Sequence, residues 1–316
     1  MSNVSLQEGV SAGTRSQQQV NAQKSSRWRT DLTGLAFMLP FLLVYAIFVA
    51  WPILFGFSMS FFNWTIGGNG ASRFLGLGNY GELFGDPAFW RSIGVTVAFT
   101  IISTPILVIL AFVLALLVNR AIPARGLFRS VFFAPFVLPA SVVTLIWGWL
   151  YQTDFGLIDG TISALGLKQI PWLSDPTSAM SAIIILTVWW TVGYNFVLYL
   201  AAMQQLPREL QEAASIDGAG YWARLRWITI PLLNPYTALI VILQVIASLQ
   251  LFSQNYLLTA GGPNYATRSA IQYIYDSGFT SFRLGYASAM SYILFLLILI
   301  ISLTQFSVFM RQRRSA

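Results

Sequence analysis

The chain has 316 residues, 56% of them hydrophobic and only 9% charged, far below the roughly 25% charged residues of a soluble domain, so it is read as a membrane protein. Its 18 Lys and Arg outnumber 11 Asp and Glu, but no basic stripe with interleaved aromatics accompanies the surplus, which points to membrane topology and not to nucleic acid. With neither cysteine nor histidine, disulfides, thiolate nucleophiles, imidazole bases and the usual zinc ligands are excluded, and no metal site or cofactor is expected.

Residues 1–30 are rich in Ser, Gln, Asn and Ala, with too little apolar surface to offset the entropy of ordering, and read as a mobile tail. The first apolar run begins after Asp31 and is long enough to span, so it is expected to remain uncleaved. Residues 31–316 form the membrane domain. Six uncharged stretches, 35–58, 93–118, 131–150, 180–203, 232–258 and 286–308, each reach the roughly 20 residues needed to cross the hydrocarbon core. Uniform apolarity at that length satisfies the backbone as helix, not as the alternating strands of a barrel. The fold class is therefore all-α, a polytopic bundle of six transmembrane helices.

Cations set the orientation. Arg15, Lys24, Arg27 and Arg29 precede the first span; Arg120, Arg125 and Arg129 lie in the second connection; Arg208, Arg224 and Arg226 lie in the fourth; Arg311, Arg313 and Arg314 follow the last. The other side receives only Arg73, Arg91, Lys168, Arg268 and Arg283. Both termini and the 204–231 connection are thereby expected in the cytoplasm. Pro52, Pro105, Pro135, Pro139 and Gly193 punctuate the spans, either as bundle packing or as hinges of a moving transporter. The Gly67–Gly70 patch in the outward loop has no following Lys and opens no helix, so it reads as a turn and not as a phosphate cradle.

All 29 charged residues fall outside the six stretches. Proton- or ion-coupled carriers usually keep a group inside the membrane that can change charge, and the two lysines, Lys24 and Lys168, lack the glycines of a P-loop. Energy for active transport would have to come from another protein. The charged 204–231 connection is the place to receive it. Glu209 to Ile216 are mostly good helix formers after Pro207, Gly218 and Gly220 break that helix, and Tyr221 to Ile228 can form a second. Leu206, Leu210, Ala213 and Ala214 offer a face that another surface can approach closely. The competing reading is an amphipathic linker lying on the headgroups, anchored by Trp222 and Trp227.

Polar side chains within the spans supply a second signal, because each is costly in lipid and tends to face the bundle or a cavity. In the fifth span Gln244, Ser248 and Asn255 read as one stripe, with Gln250 and Gln254 as a second; the fourth offers Trp190, Tyr194 and Asn195 beside Thr187 and Thr191. Amides, hydroxyls and aromatic faces suit a neutral sugar. Interhelical hydrogen bonding without a ligand explains any single one of them equally well.

The charged block matches the cytoplasmic signature E-A-A, three residues, G, nine residues, I, one residue, L-P, here Glu212, Ala213, Ala214, Gly218, Ile228, Ile230 and Pro231, with Ile in place of Leu at position 230. Together with EAASIDGAG, LLTAGGPNYAT, FLGLGNYGELFGDPAFWRSI and ARGLFRSVFFAPFVLPASVVTLIWGWLY, it makes the chain from about residue 35 onward resemble the permeases of ATP-binding-cassette importers, specifically the binding-protein-dependent carbohydrate branch. The resemblance implies a coupling helix carrying Glu212, Ala213, Ala214, Asp217 and Gly218, docked on a dimer of ATP-hydrolysing subunits. It also implies a second, different permease of the same type, an extracytoplasmic sugar-binding protein, a multi-pass location in a bacterial or archaeal inner membrane, and no catalysis by this chain. A glycerol-phosphate or polyol importer of the same branch is the nearest alternative, followed by a self-sufficient carrier or channel. A membrane enzyme fails on residue inventory.

Overall fold

The computed structural model describes residues 37–65, 73–119, 125–153 and 155–315, for 312–315 the backbone alone. The N-terminal tail, the Gly67–Gly70 turn, Arg120 and the Arg313 and Arg314 side chains lie outside that description. The chain divides into two compact units, residues 1–58 and 59–316. Described from the first is most of helix α1, Phe37–Met59, which contains a π turn at Ala46–Ala50. Pro52 follows two residues later. It has no N–H to donate and its ring would crowd the carbonyl four residues back, and a wider turn relieves both problems.

The second unit opens with a two-residue antiparallel pair, β1 Phe62–Asn63 and β2 Arg73–Phe74. Its helices are α2 Gly78–Phe84, α3 Pro87–Asn119, α4 Arg125–Val137, α5 Ala140–Leu150, α6 Leu157–Ala164, α7 Pro176–Gln204, α8 Arg208–Ile216 and α9 Tyr221–Arg224. They are followed by α10 Ile230–Leu249, α11 Ser253–Thr259, α12 Ala270–Tyr275 and α13 Leu284–Ser315. Among the described residues five helices, the run from α9 to α11 taken as one, are long and apolar enough to cross a membrane. The α4–α5 pair, bent by 95°, makes a sixth when counted as one broken span. The bend falls at Leu138–Pro139, where Pro139 caps α5 in an extended conformation. The carbonyl of Leu138, left at the break, accepts from Trp190 Nε1 at 3.2 Å.

The core follows from side-chain periodicity. Leu107, Ala111, Ala115 and Val118 line one face of α3 and pack against Phe196, Tyr199, Leu200 and Met203 of α7 and Leu233 and Ile240 of α10. The small alanines let the helix axes approach, which is how helices associate where lipid is as apolar as leucine. Gly193 settles one of the two readings of its position: a Cβ there would overlap the Phe132 carbonyl, so this glycine is where the backbones of α4 and α7 meet. At the α2 end of this unit a second core joins Leu83, Phe89 and Ile93 to Tyr286, Ala287, Met290 and Leu294.

Two of the helices that begin earlier than the uncharged stretches, α3 and α7, do so for one reason. Asp86 Oδ1 accepts from the backbone N–H of Ala88 and Phe89, and Asp175 Oδ2 accepts from those of Thr177 and Ser178. Each is an N-cap followed by proline, which belongs in the first turn.

Candidate functional site

The charged block forms a knob at the α7–α10 end of the bundle. Helix α8 starts after Pro207, which caps it from an extended conformation (φ −59°, ψ 123°) and so lies just outside the helix and not in its first turn. It stops in a Schellman arrangement: Gly218 N–H donates to Ser215 O at 3.2 Å, and Ala219 N–H to Ala214 O at 2.9 Å. Gly218 holds φ +79°, a conformation open to glycine at little cost. Glu212, Ala213, Asp217 and Gly218 are exposed and Ala214 is half-buried. Apolar side chains stand out beside them, with Ile216 87%, Trp222 75% and Trp227 73% exposed.

The second helix of the block is not a separate piece, as its sequence suggested. Helix α9 runs through a π turn, Leu225–Thr229, directly into α10, because Pro231 needs the same widening that Pro52 does two residues after its own π turn. Gln211 Nε2 on α8 donates to Thr229 Oγ1 at 3.1 Å, tying the knob to that turn.

Deep in the bundle the structure assembles three of the sequence-derived polar residues. Asn195 Nδ2 of α7 donates to Gln244 Oε1 of α10 at 2.6 Å, and Gln244 Nε2 donates to Ser248 Oγ at 3.0 Å. All three are buried. The cluster extends to α3, whose Ser103 and Thr104 hydroxyls lie 3.5 Å and 3.4 Å from Ser248 Oγ. Sequence reasoning missed those two. Their signal was the run of hydroxyls at Ser92, Thr96, Thr100 and Thr104, four residues apart on one face of an otherwise apolar helix.

Asn255 belongs elsewhere. The helix breaks after Leu249 at Gln250–Phe252, so the stripe read through Gln244, Ser248 and Asn255 is interrupted. Asn255 on α11 donates to Thr267 O at 3.0 Å and to Gln272 Oε1 at 2.7 Å, inside the loop that carries the TAGGP segment, where Gly261 at φ +82° packs against Gln272. Gln250 is exposed at the break and Gln254 half-buried. Trp190 and Tyr194 lie one turn apart on α7; Tyr194 stacks on Phe136 at 5.1 Å. Asn195 Oδ1 and Asn255 Oδ1 are buried acceptors without a donor.

A third polar group closes the other end of α3. Asp86 Oδ2 accepts from the hydroxyls of Tyr273 at 2.6 Å and Tyr286 at 2.7 Å. Burial alone would raise the Asp86 carboxyl, but these two hydroxyls and the α3 backbone N–H groups outweigh it and hold it below its ordinary value. Tyr273, by burial first and its bond to Asp86 second, is pushed up to about 12. Among the described residues no cluster of acidic side chains could hold a metal ion.

Helices of membrane-crossing length, one pair of them sharply bent, a polar seam between α3, α7 and α10, and an exposed charged knob are the features of a membrane transport permease. Residues 75–315 match the family described as binding-protein-dependent transport system inner membrane component, and the chain belongs to that family. Similar proteins include the lactose transport system permease protein LacF of Rhizobium radiobacter, 34% identical over 87% of this chain and 93% of that one. The trehalose/maltose transport system permease protein MalF of Thermococcus litoralis is also 34% identical, over 88% and 94%. A chain of a bacterial alginate ABC transporter solved with an alginate pentasaccharide-bound periplasmic protein shares the fold, with TM-score 0.76 at 23% identity over 88% of this chain and 93% of that chain.

Proposed function

We propose that this chain is the permease subunit of an ATP-driven importer that takes a neutral mono- or oligosaccharide from an extracytoplasmic binding protein and releases it into the cytoplasm by alternating access. The observation that carries the reading is the exposed knob of α8. It presents Glu212, Asp217 and small alanines on a capped helix, joined through one continuous helix to the buried seam. A cleft on a partner ATPase receives the knob, with the polar rim setting orientation and the alanines allowing close approach. The knob end faces the cytoplasm.

Motion of α8 passes through the Gln211–Thr229 bond and the rigid α9–α10 helix to Gln244, about 22 Å from Thr229 along the helix axis. The seam then opens along Asn195, Gln244 and Ser248, whose amides and hydroxyls exchange their bonds to one another for bonds to sugar hydroxyls; the unfilled acceptor on Asn195 takes one of these. Trp190 and Tyr194 offer aromatic faces beside the broken span, and Gln250 and Gln254, at the break that follows α10, line the outward continuation. The relatives named for lactose and for trehalose/maltose and the lack of a cation in the seam favour a neutral substrate. A second permease of the same type completes the path.

The test is reconstitution of the complete complex with its binding protein. Sugar-loaded binding protein is expected to stimulate ATP hydrolysis in the wild type and not in Glu212→Lys, whose bundle still folds. Equal stimulation in both would remove the docking role from α8.

A further inference from the structure

The root of the knob carries a group of cations outside the proposed transport path. A cavity of about 410 Å³ lies where the end of α3, the start of α4 and the end of α7 meet α8 and the α9 π turn. Arg125, Arg208 and Arg224 line it together with Asn119, Gln204 and Gln211, and among the described residues no Asp or Glu does. Glu209 and Glu212 sit on the same helix as Arg208 yet do not reach it. Among the described residues no carboxylate pairs with any of the three arginines.

Two of the arginines show how the charge is held. Arg125 is fixed to the last turn of α3: its Nε donates to Val118 O at 3.0 Å, and one terminal nitrogen donates to Asn119 O at 2.9 Å and Asn119 Oδ1 at 2.7 Å. That satisfies carbonyls that a helix end leaves open, and it sets a positive charge at the cavity wall. Arg224 is in the opposite condition. Its Nε is fully buried and makes no hydrogen bond. A buried guanidinium N–H without an acceptor is destabilising, and like charges around one cavity add repulsion. Both costs disappear if an anion with several acceptor oxygens occupies the space.

We propose that this cavity is a binding site for a phosphate-bearing anion, either free phosphate or the phosphate of an anionic phospholipid headgroup. The arginine forks supply charge-assisted donors to tetrahedral oxygens, and Gln211 and Asn119 carry amides at the wall. The opening lies at the end of the spans, within reach of the membrane surface and the adjoining solvent. A bound phosphate ties α8 to the ends of α3 and α7. Its consequence for transport, a stiffer link between knob and seam, rests on the docking role proposed above, but the binding itself does not.

The full-length chain, purified in a neutral detergent, is titrated with inorganic phosphate while its thermal unfolding is followed. In a second arm it is placed in nanodiscs of phosphatidylcholine with and without phosphatidylglycerol. A saturable rise in Tm is expected with at least one probe. Arg224→Gln should weaken half-saturation by at least about tenfold, and Arg224→Lys, which keeps the charge but loses the Nε donor, should fall between. A response to free phosphate alone assigns a soluble anion, and a response to phosphatidylglycerol alone assigns the lipid. If Arg224→Gln does not fold, Arg208→Gln on the exposed start of α8 carries the same comparison. The proposal is overturned if neither probe gives a saturable rise, if chloride at equal ionic strength does as much, or if the variant that folds binds as tightly as the wild type.

Discussion

The seam around Gln244 and the knob around Glu212 belong to the same continuous stretch of chain, yet they use polar side chains in opposite ways. In the seam Asn195, Gln244, Ser248, Ser103 and Thr104 turn inward and bond to one another across three helices. On the knob Glu209, Glu212 and Asp217 are exposed and make no ion pair among the described residues. In an apolar medium an unbonded polar group costs several kcal/mol, so an interior cluster either closes on itself or closes on a ligand. A group in water carries no such cost and is free to wait for a protein surface. Under the proposed function, the difference separates where a substrate would be passed from where force would be applied.

Variants that strike one region and spare the other sharpen that contrast. The largest effect is expected from Glu212→Lys, which reverses charge at the centre of the knob. Uptake in reconstituted vesicles should fall by about a hundredfold, the loss expected of a central interface residue, while the Tm of the chain alone stays within about a degree because Glu212 is exposed. Next is Gln244→Ala. It leaves the Asn195 amide and the Ser248 hydroxyl without their partner and should destabilise the bundle by roughly 1–3 kcal/mol, seen in the Tm. Uptake kinetics should change without loss of ATPase association. Asn195→Ala with Gln244→Ala should cost less than the sum of the two, because both remove one shared bond.

A smaller effect is expected at the end of α8. Gly218→Ala forces a Cβ into the left-handed region at φ +79° and should cost about 1 kcal/mol, loosening the knob. ATP hydrolysis stimulated by the binding protein should drop only partially, and Gly218→Asn, which tolerates that conformation better, should lie nearer the wild type. The smallest is a pH effect at the opposite end of α3. Asp86 is held below 3.8 in the folded chain, so its contribution is complete above that value and is lost only as pH falls through the lower, folded one. Tyr273 is raised from 10.0 to about 12, so its contribution is complete below 10 and is lost as pH climbs toward 12. Melting temperatures measured across pH should be level between these windows and decline beyond both, and Asp86→Asn should flatten the acid side.

Much of this was legible from residues because a bilayer imposes simple demands. Twenty uncharged residues in a row make a span, and the six stretches map onto α1, α3, the bent α4–α5 pair, α7, α10 with α11, and α13. Where the ends were misplaced, the stretches had been cut at charges, whereas the helices start at caps: Asp86-Pro87 and Asp175-Pro176 both lie outside the apolar runs. The 95° bend at Pro139 could not be separated from Pro105, which lies inside unbroken α3, because the outcome depends on a partner, Trp190, 52 positions beyond the Leu138 carbonyl it bonds. The polar seam was half legible for a related reason. Asn195, Gln244 and Ser248 stand out as amides and a hydroxyl in apolar runs, but which of them meet is set by how α3 and α7 pack, and the break at Gln250 moved Asn255 into a different network. The arginine cavity was not legible at all, since its walls come from five separate parts of the chain.

In the proposed function this chain holds the path while a partner supplies the work. The most direct measurement is accumulation of a radiolabelled disaccharide such as maltose or lactose in vesicles holding either the complete complex, with binding protein and ATP, or this chain alone. The complex should concentrate the sugar its binding protein accepts above the external level, and the chain alone should at most let it equilibrate. Accumulation against a gradient by the chain alone would contradict the account.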